Sequence, residues 1–274
     1  MDTNLKIGIV SLGLIGGSIF KALRKYYPDI LCVSKNKETV ELIKKTGSNA
    51  SHDLNDLKDR DIVFVCSPMR NVLEILDKLE TIVSQKTIVA DVSSLKAFVC
   101  VKERPYIFIP THPMAGKETS GFNESEETLF KSAKWILTPL ENTLEKDINS
   151  LKEVIEKTGA DVVFSTPQSH DNAVALISHM PLVLSQALIK SVEKNELAMK
   201  LASSGFRDMT RLALSNTIMA QDMVEMNFQN IKQALDLVIE NGNKLINNYN
   251  NSSIEEIKNV RNQIYSDKRE NIFK

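Results

Sequence analysis

Apolar and polar positions along this chain follow two regimes. Short apolar runs at 5–10, 30–33, 61–66, 87–92 and 106–109 predict buried strands. Segments with helical periodicity at 19–26, 39–46 and 72–83 fall between them, the second stopped by Gly47. Two more strands are predicted at 134–138 and 160–164, with a helix at 142–157 between them. From Pro167 to Lys274 only the helical period remains. It predicts an apolar helix at 173–192, a turn or short helix start at 205–211, and helices at 220–248 and 254–269. The asparagine-rich 247–253 reads as a loop. Strands alternating with helices predict a parallel, doubly wound α/β domain over 1–165, and the remainder an all-helical domain over 166–274.

The first strand runs into Ser11-Leu12-Gly13-Leu14-Ile15-Gly16-Gly17-Ser18 and then a helix. Strand, glycine loop and helix are the context a dinucleotide fingerprint requires. Gly13 lets the backbone approach a pyrophosphate, Gly16 lets helix and strand pack closely, and the following helix N-terminus offers free N–H groups to the phosphates, with Leu14 and Ile15 expected among the cofactor-binding residues. Ser11 stands where the fingerprint has its first glycine, so the tight turn must tolerate a side chain. The domain is therefore expected to be of the Rossmann type.

The second strand ends in Ser34-Lys35-Asn36-Lys37, without the carboxylate that binds a ribose 2′-hydroxyl. A hydroxyl and a lysine welcome a 2′-phosphate, so NADP is expected, with NAD the alternative. Ser67-Pro68 follows the third apolar run at the same edge. Asp91-Val92-Ser93-Ser94-Leu95-Lys96 closes the fourth; its serines can cap a helix beginning near Leu95 or face the nicotinamide. The run at 106–110 is followed by Thr111-His112-Pro113-Met114-Ala115-Gly116-Lys117-Glu118, read as a loop at a strand's C-terminal end, where open α/β sheets bind ligands.

Composition narrows the class. Of 274 residues, 42% are hydrophobic and 25% charged, with a formal net charge of −1. That balance gives no general attraction for nucleic acid or an anionic membrane. Cys32, Cys66 and Cys100 have no CxxC spacing and read as reduced core thiols of a cytoplasmic protein. The N-terminus runs directly into a strand, so no signal peptide is expected. No apolar run is judged long enough to span a bilayer. No metal site is expected.

The elements Gly13-Leu14-Ile15-Gly16-Gly17-Ser18, Asp91 to Lys96, His112 to Glu118, Ser178-His179-Met180-Pro181 and Gly205 to Arg211 together resemble the prephenate dehydrogenase family and its arogenate-using relatives, over nearly the whole chain. The resemblance implies NAD(P)-dependent oxidative decarboxylation of a cyclohexadienol in tyrosine biosynthesis. It implies His112 as general base, with Ser94 hydrogen-bonding the imidazole or the substrate hydroxyl. Arg211 would pair with a substrate carboxylate, and Glu118 would lie near that arginine. His170-Asp171 matches an element reaching towards a neighbouring subunit's site, which puts Asp171 among the substrate-binding residues. His179 is either a core histidine or a support of the site. Where part of the family has a second histidine, this chain has Leu182, and Ala220-Gln221 replaces a frequent Trp-Arg. The helical domain is expected to form a homodimer.

Two other readings stay open on the sequence. A two-domain β-hydroxyacid-type dehydrogenase would depend on a lysine of a second-domain helix. A non-catalytic dinucleotide-binding regulator would account for Ser11 and Leu182 as relaxed positions. Reduced-cofactor absorbance with prephenate, arogenate or a β-hydroxyacid separates the three.

Overall fold

The computed structural model describes residues 4–117 and 119–266. Six strands form a parallel sheet: β1 (Ile7–Val10), β2 (Ile30–Val33), β3 (Asn49–Ser51), β4 (Ile62–Val65), β5 (Ile88–Asp91) and β6 (Ile107–Phe108). Their order is β3-β2-β1-β4-β5-β6, reversing direction at β1. Such a sheet needs cover on both faces, which is why its strands read as unbroken apolar runs. Ile7 and Ile9 join the core beneath α1 (Leu14–Leu23). Val10 points the other way, into the core beneath α3 (Met69–Leu79). The helix α2 (Lys37–Lys45) connects β2 to β3.

A second, three-stranded sheet packs beside the first. It comprises β7 (Thr111–Pro113), β8 (Lys134–Leu137) and β9 (Asp161–Phe164), with α4 (Glu145–Glu156) between the last two. This corrects the expectation of a loop at His112: His112 pairs with Ile136 in an antiparallel ladder. The apolar pattern breaks at Pro110, but Pro110 only turns the chain out of the first sheet, and its carbonyl accepts from the Thr138 N–H. Trp135 is fully buried, and its indole N–H donates to Thr111 Oγ1 at 3.0 Å. That bond fixes the strand that carries His112.

The rest is helical: α5 (Pro167–Val174), a π turn at Ala175–His179, α6 (Met180–Val192), α7 (Glu196–Leu201), α8 (Ser204–Met209), a 3-10 turn at Arg211–Leu214, α9 (Thr217–Met226), α10 (Phe228–Asn247) and α11 (Asn251–Ile264). Four sequence expectations change here. The helix expected at 173–192 begins at Pro167, capped by Thr166, and widens at the π turn. There the Met180 N–H reaches back to Ala175, and Pro181 has no N–H to restore the α register. The span 220–248 is two helices parted at Asn227, and the last helix begins at Asn251, behind a capping box at Asn250, rather than at 254, which shortens the expected asparagine-rich loop to 248–250. The fourth concerns membranes. Pro167–Val192 is one run of 26 residues with mean hydropathy 1.5, long and apolar enough by length and composition to cross a bilayer. Its polar side chains are nevertheless tied into the chain: Asp171 accepts from the Lys96 and Ala97 N–H groups.

The two halves meet through an apolar cluster of Met69, Leu95, Val174, Leu182, Ala220 and Met223. Of the positions where the sequence departs from the family pattern, Leu182 and Ala220 are buried in it and Gln221 is exposed. Arg70 adds ion pairs to Asp222 and Glu225 across the same junction.

Candidate functional site

A cleft of about 780 Å³ lies at the C-terminal ends of β1, β2 and β4. It is lined by Ser11, Gly13, Ser34, Lys35, Ser67 and Pro68 among others. Ser11 holds a left-handed φ of 69° and its hydroxyl meets that of Ser67 at 2.6 Å. The turn thus accepts a side chain in a conformation that favours glycine, and uses it to tie two strand ends together. At Gly16 a Cβ would stand 2.1 Å from the Ser11 carbonyl oxygen, so only glycine lets α1 sit this close to the turn. Nothing occupies the space beside Gly13. The helix begins at Leu14 rather than at 19, which brings the unpaired N–H groups of its first turn to the cleft. An open cradle, a helix N-terminus and no carboxylate at the tip of β2 fit a pyrophosphate-containing dinucleotide.

At the tip of β2, the Ser34 hydroxyl accepts from the Asn36 N–H and the Asn36 side chain caps α2. His52 lines the same cleft, and its Nδ1 contacts the Ser34 carbonyl at 2.8 Å. Its lone position in a polar loop gave no signal. β3 is short and polar, and its pairing beside β2 is what brings His52 there.

His112 lies beyond the end of β5. Its Nδ1 is 2.9 Å from His170 Nε2, and His170 Nδ1 is 2.8 Å from Asp171 Oδ1. Burial holds the His112 imidazole well below its usual pKa, and His170, Lys96 and His179 add repulsion against a second positive charge. It is therefore neutral near pH 7, as a base must be. Lys96 and Asp91 are fully buried beneath it. The Lys96 ammonium donates to Asp91 Oδ2 at 2.6 Å and to the Thr111 carbonyl at 2.5 Å. Burial lowers the lysine pKa, and Asp91 opposes the shift. This pair clamps the end of β5 to the residue preceding His112.

The other expected site residues separate into groups. Ser94 is half-buried two residues before Lys96, and the partner of the imidazole at Nδ1 is His170. Ser93 is buried and its hydroxyl is bound to Asp91, so it faces the ion pair and not an open cofactor site. Asp171 is buried, with both oxygens occupied by His170 and by the Lys96 and Ala97 N–H groups. It meets its own chain's histidine, which corrects its reading as a substrate contact reaching to a neighbour. His179 is 1% exposed, with Nδ1 accepting from the Asn227 amide at 3.1 Å. It is a core histidine, its pKa pushed down to about 4 by burial. Arg211 opens the 3-10 turn, and the adjacent Leu212 packs on the cluster that holds Leu95 and is touched by Met114. Those two residues flank Ser94 and follow His112, so the turn carrying Arg211 is drawn to the same side of the molecule. Glu118 lies outside the described residues.

Comparison with known proteins agrees with this geometry. The family model of the prephenate dehydrogenase nucleotide-binding domain matches residues 19–164, and that of the prephenate dehydrogenase dimerization domain matches 166–267. Prephenate dehydrogenase of Bacillus subtilis is 30% identical across 100% of this chain and 73% of its own length. Cyclohexadienyl dehydrogenase of Zymomonas mobilis is 29% identical across 87% of this chain and 86% of its own. Among solved structures, Synechocystis arogenate dehydrogenase is 34% identical with a TM-score of 0.81, covering 96% of this chain and 98% of that one. Prephenate dehydrogenase of Aquifex aeolicus, bound to hydroxyphenyl propionate and NAD+, is 28% identical with a TM-score of 0.83 over the same shares. With both halves matched in order over a dinucleotide cleft and a half-buried histidine, this chain belongs to the prephenate dehydrogenase family and is an NAD(P)-dependent oxidoreductase.

Proposed function

We propose that this protein oxidatively decarboxylates prephenate or arogenate, using His112 as the base. The observation that carries the reading is the neutral His112 imidazole, tied through Nδ1 and leaving Nε2 to act. The substrate bears a ring hydroxyl opposite a ring carboxylate. His112 Nε2 takes the hydroxyl proton. When bound, the nicotinamide accepts the hydride from the same carbon. The resulting dienone draws in the electrons of the carbon–carboxylate bond, carbon dioxide leaves, and the ring becomes aromatic. The phenolate oxygen then recovers a proton from His112, so the cycle consumes none. Arg211 holds a substrate carboxylate through its planar fork, since the near-neutral net charge supplies no attraction of its own.

NADP is the preferred cofactor in this reading. The Ser34 hydroxyl accepts from Asn36 and keeps its own proton to donate to a 2′-phosphate, with Lys35 beside it. The protein works in the cytoplasm as a homodimer joined through the helical half, with the two domains meeting between residues 165 and 166. Steady-state absorbance of the reduced cofactor with prephenate and with arogenate, each with NADP and with NAD, tests the function. Turnover with neither substrate refutes it.

A further inference from the structure

We infer that His170 and Asp171 form a positioning pair that fixes the tautomer of His112 and shares the proton it takes. This rests on the reading of His112 as base. Asp171 Oδ1 faces His170 Nδ1 at 2.8 Å and the Lys96 N–H at 2.8 Å; Oδ2 faces the Ala97 N–H at 2.9 Å. Surrounded by donors, this carboxylate only accepts, so His170 Nδ1 carries a hydrogen. A neutral imidazole has one N–H, which leaves His170 Nε2 as an acceptor. That nitrogen faces His112 Nδ1 at 2.9 Å. Two bare nitrogens would repel at that distance, so His112 Nδ1 donates. The lone pair of His112 is then left on Nε2, the nitrogen the reaction needs. The order of residues gives the chain a direction, with the carboxylate at one end and the basic nitrogen at the other.

The same chain handles the product of proton abstraction. When Nε2 takes the hydroxyl proton, His112 becomes an imidazolium whose Nδ1–H already points at His170. Transfer of that hydrogen to His170 Nε2 leaves His112 neutral and places the positive charge against Asp171. Reversal returns one proton to the phenolate oxygen, so what leaves the substrate comes back to it. Among the described residues, the charged and titratable groups packed around the chain are Lys96, with its partner Asp91, His179, and the Cys100 thiol, which burial pushes up to about 11. Lys96 disfavours a charge resting on His112, which makes passage towards Asp171 the favourable direction. His179 is turned the opposite way: its Nδ1 accepts from Asn227, so its hydrogen is on Nε2.

The chain has only four histidines, His52, His112, His170 and His179, so nitrogen-15 histidine labelling of the full-length protein resolves each ring. Two-bond proton–nitrogen correlations at neutral pH are expected to show the hydrogen on Nδ1 in His112 and His170, and on Nε2 in His179. A His112 ring with its hydrogen on Nε2 overturns the inference without any activity measurement. His170→Phe keeps ring size and removes the acceptor. It is expected to lower kcat about tenfold or more with KM within about threefold, on the scale of a hydrogen bond to a charged group. His170→Gln returns a carbonyl acceptor and is expected to recover part of that loss. His170→Phe at wild-type kcat, with His112→Asn inactive, overturns the inference and leaves the function standing. A wild type inactive towards both substrates refutes the function, and the tautomer measurement still decides the chain.

Discussion

Desolvation holds the imidazoles of His112 and His179 below their usual pKa, with different consequences for the two. In the proposed reading His112 gains a nitrogen for chemistry, whereas His179 is held in the core by its bond to Asn227. We expect His112→Asn, which keeps size and some hydrogen bonding, to lower kcat by about 10²-fold or more, the scale of general base catalysis. Because burial holds the His112 pKa down, the acid limb of the kcat/KM profile should lie below the ordinary imidazole value of about 6.5. A limb at or above that value would contradict the burial of the base. Stability responds with the same sign. His179 titrates at about 4 when folded, against about 6.5 when unfolded. Between those values the unfolded chain binds more protons, so the stabilisation is whole above about pH 6.5 and is lost as pH falls. Each unit of acidification in that window should cost about 1.4 kcal/mol, read as a falling Tm between pH 7 and pH 5. At this scale the sequence pointed to His112 and Arg211 through local motifs, but not to the His112–His170 contact. The two histidines are 58 positions apart, and only the docking of α5 against the end of β5 brings them together.

Elements were legible where one periodicity ran unbroken. Buried parallel strands announce themselves as apolar runs, and the doubly wound sheet followed from them, though not its strand order. Short or interrupted elements did not. β3 is too short and polar to register, β7 hides behind two prolines, and the π turn leaves the apolar pattern of its helix intact. At the β2 tip the proposed NADP preference rests on a missing carboxylate. Introducing one by Ser34→Asp should repel a 2′-phosphate and favour a 2′-hydroxyl. The ratio of kcat/KM for NADP over NAD should therefore fall by about tenfold or more, on the scale of one charge-assisted hydrogen bond. A wild type already strongly selective for NAD would overturn this account of the tip. The glycine loop allows no such exchange: Gly16→Ala puts a methyl against the Ser11 carbonyl and should abolish cofactor binding, measured by fluorescence titration.

Across the whole molecule, the proposed reading has the substrate bridge the two halves, with His112 on β7 and Arg211 in the helical part. Arg211→Lys keeps the charge and loses the fork, so KM should rise by about tenfold or more while kcat falls less, since the hydroxyl end of the ring is where His112 works. An unchanged KM with a lower Tm would make Arg211 a structural residue. The halves themselves were plain from the change in periodicity, but how much apolar surface the helical half leaves open was not. Only 33% of the most apolar window of Pro167–Val192 is buried within the chain. Leu176 and Ile177 on the π turn, Ile189 on α6, and Leu197, Leu214 and Ile218 further on are all exposed. A monomer rarely carries so much apolar surface in one region, and this half matches a dimerization domain. Sedimentation at micromolar concentration should show twice the chain mass. Ile177, 68% exposed, should then lie in the covered face, and Ile177→Asp should shift the protein towards monomer by burying an unpaired carboxylate. A wild type that sediments as a fully active monomer would leave those side chains without a partner and refute the assembly.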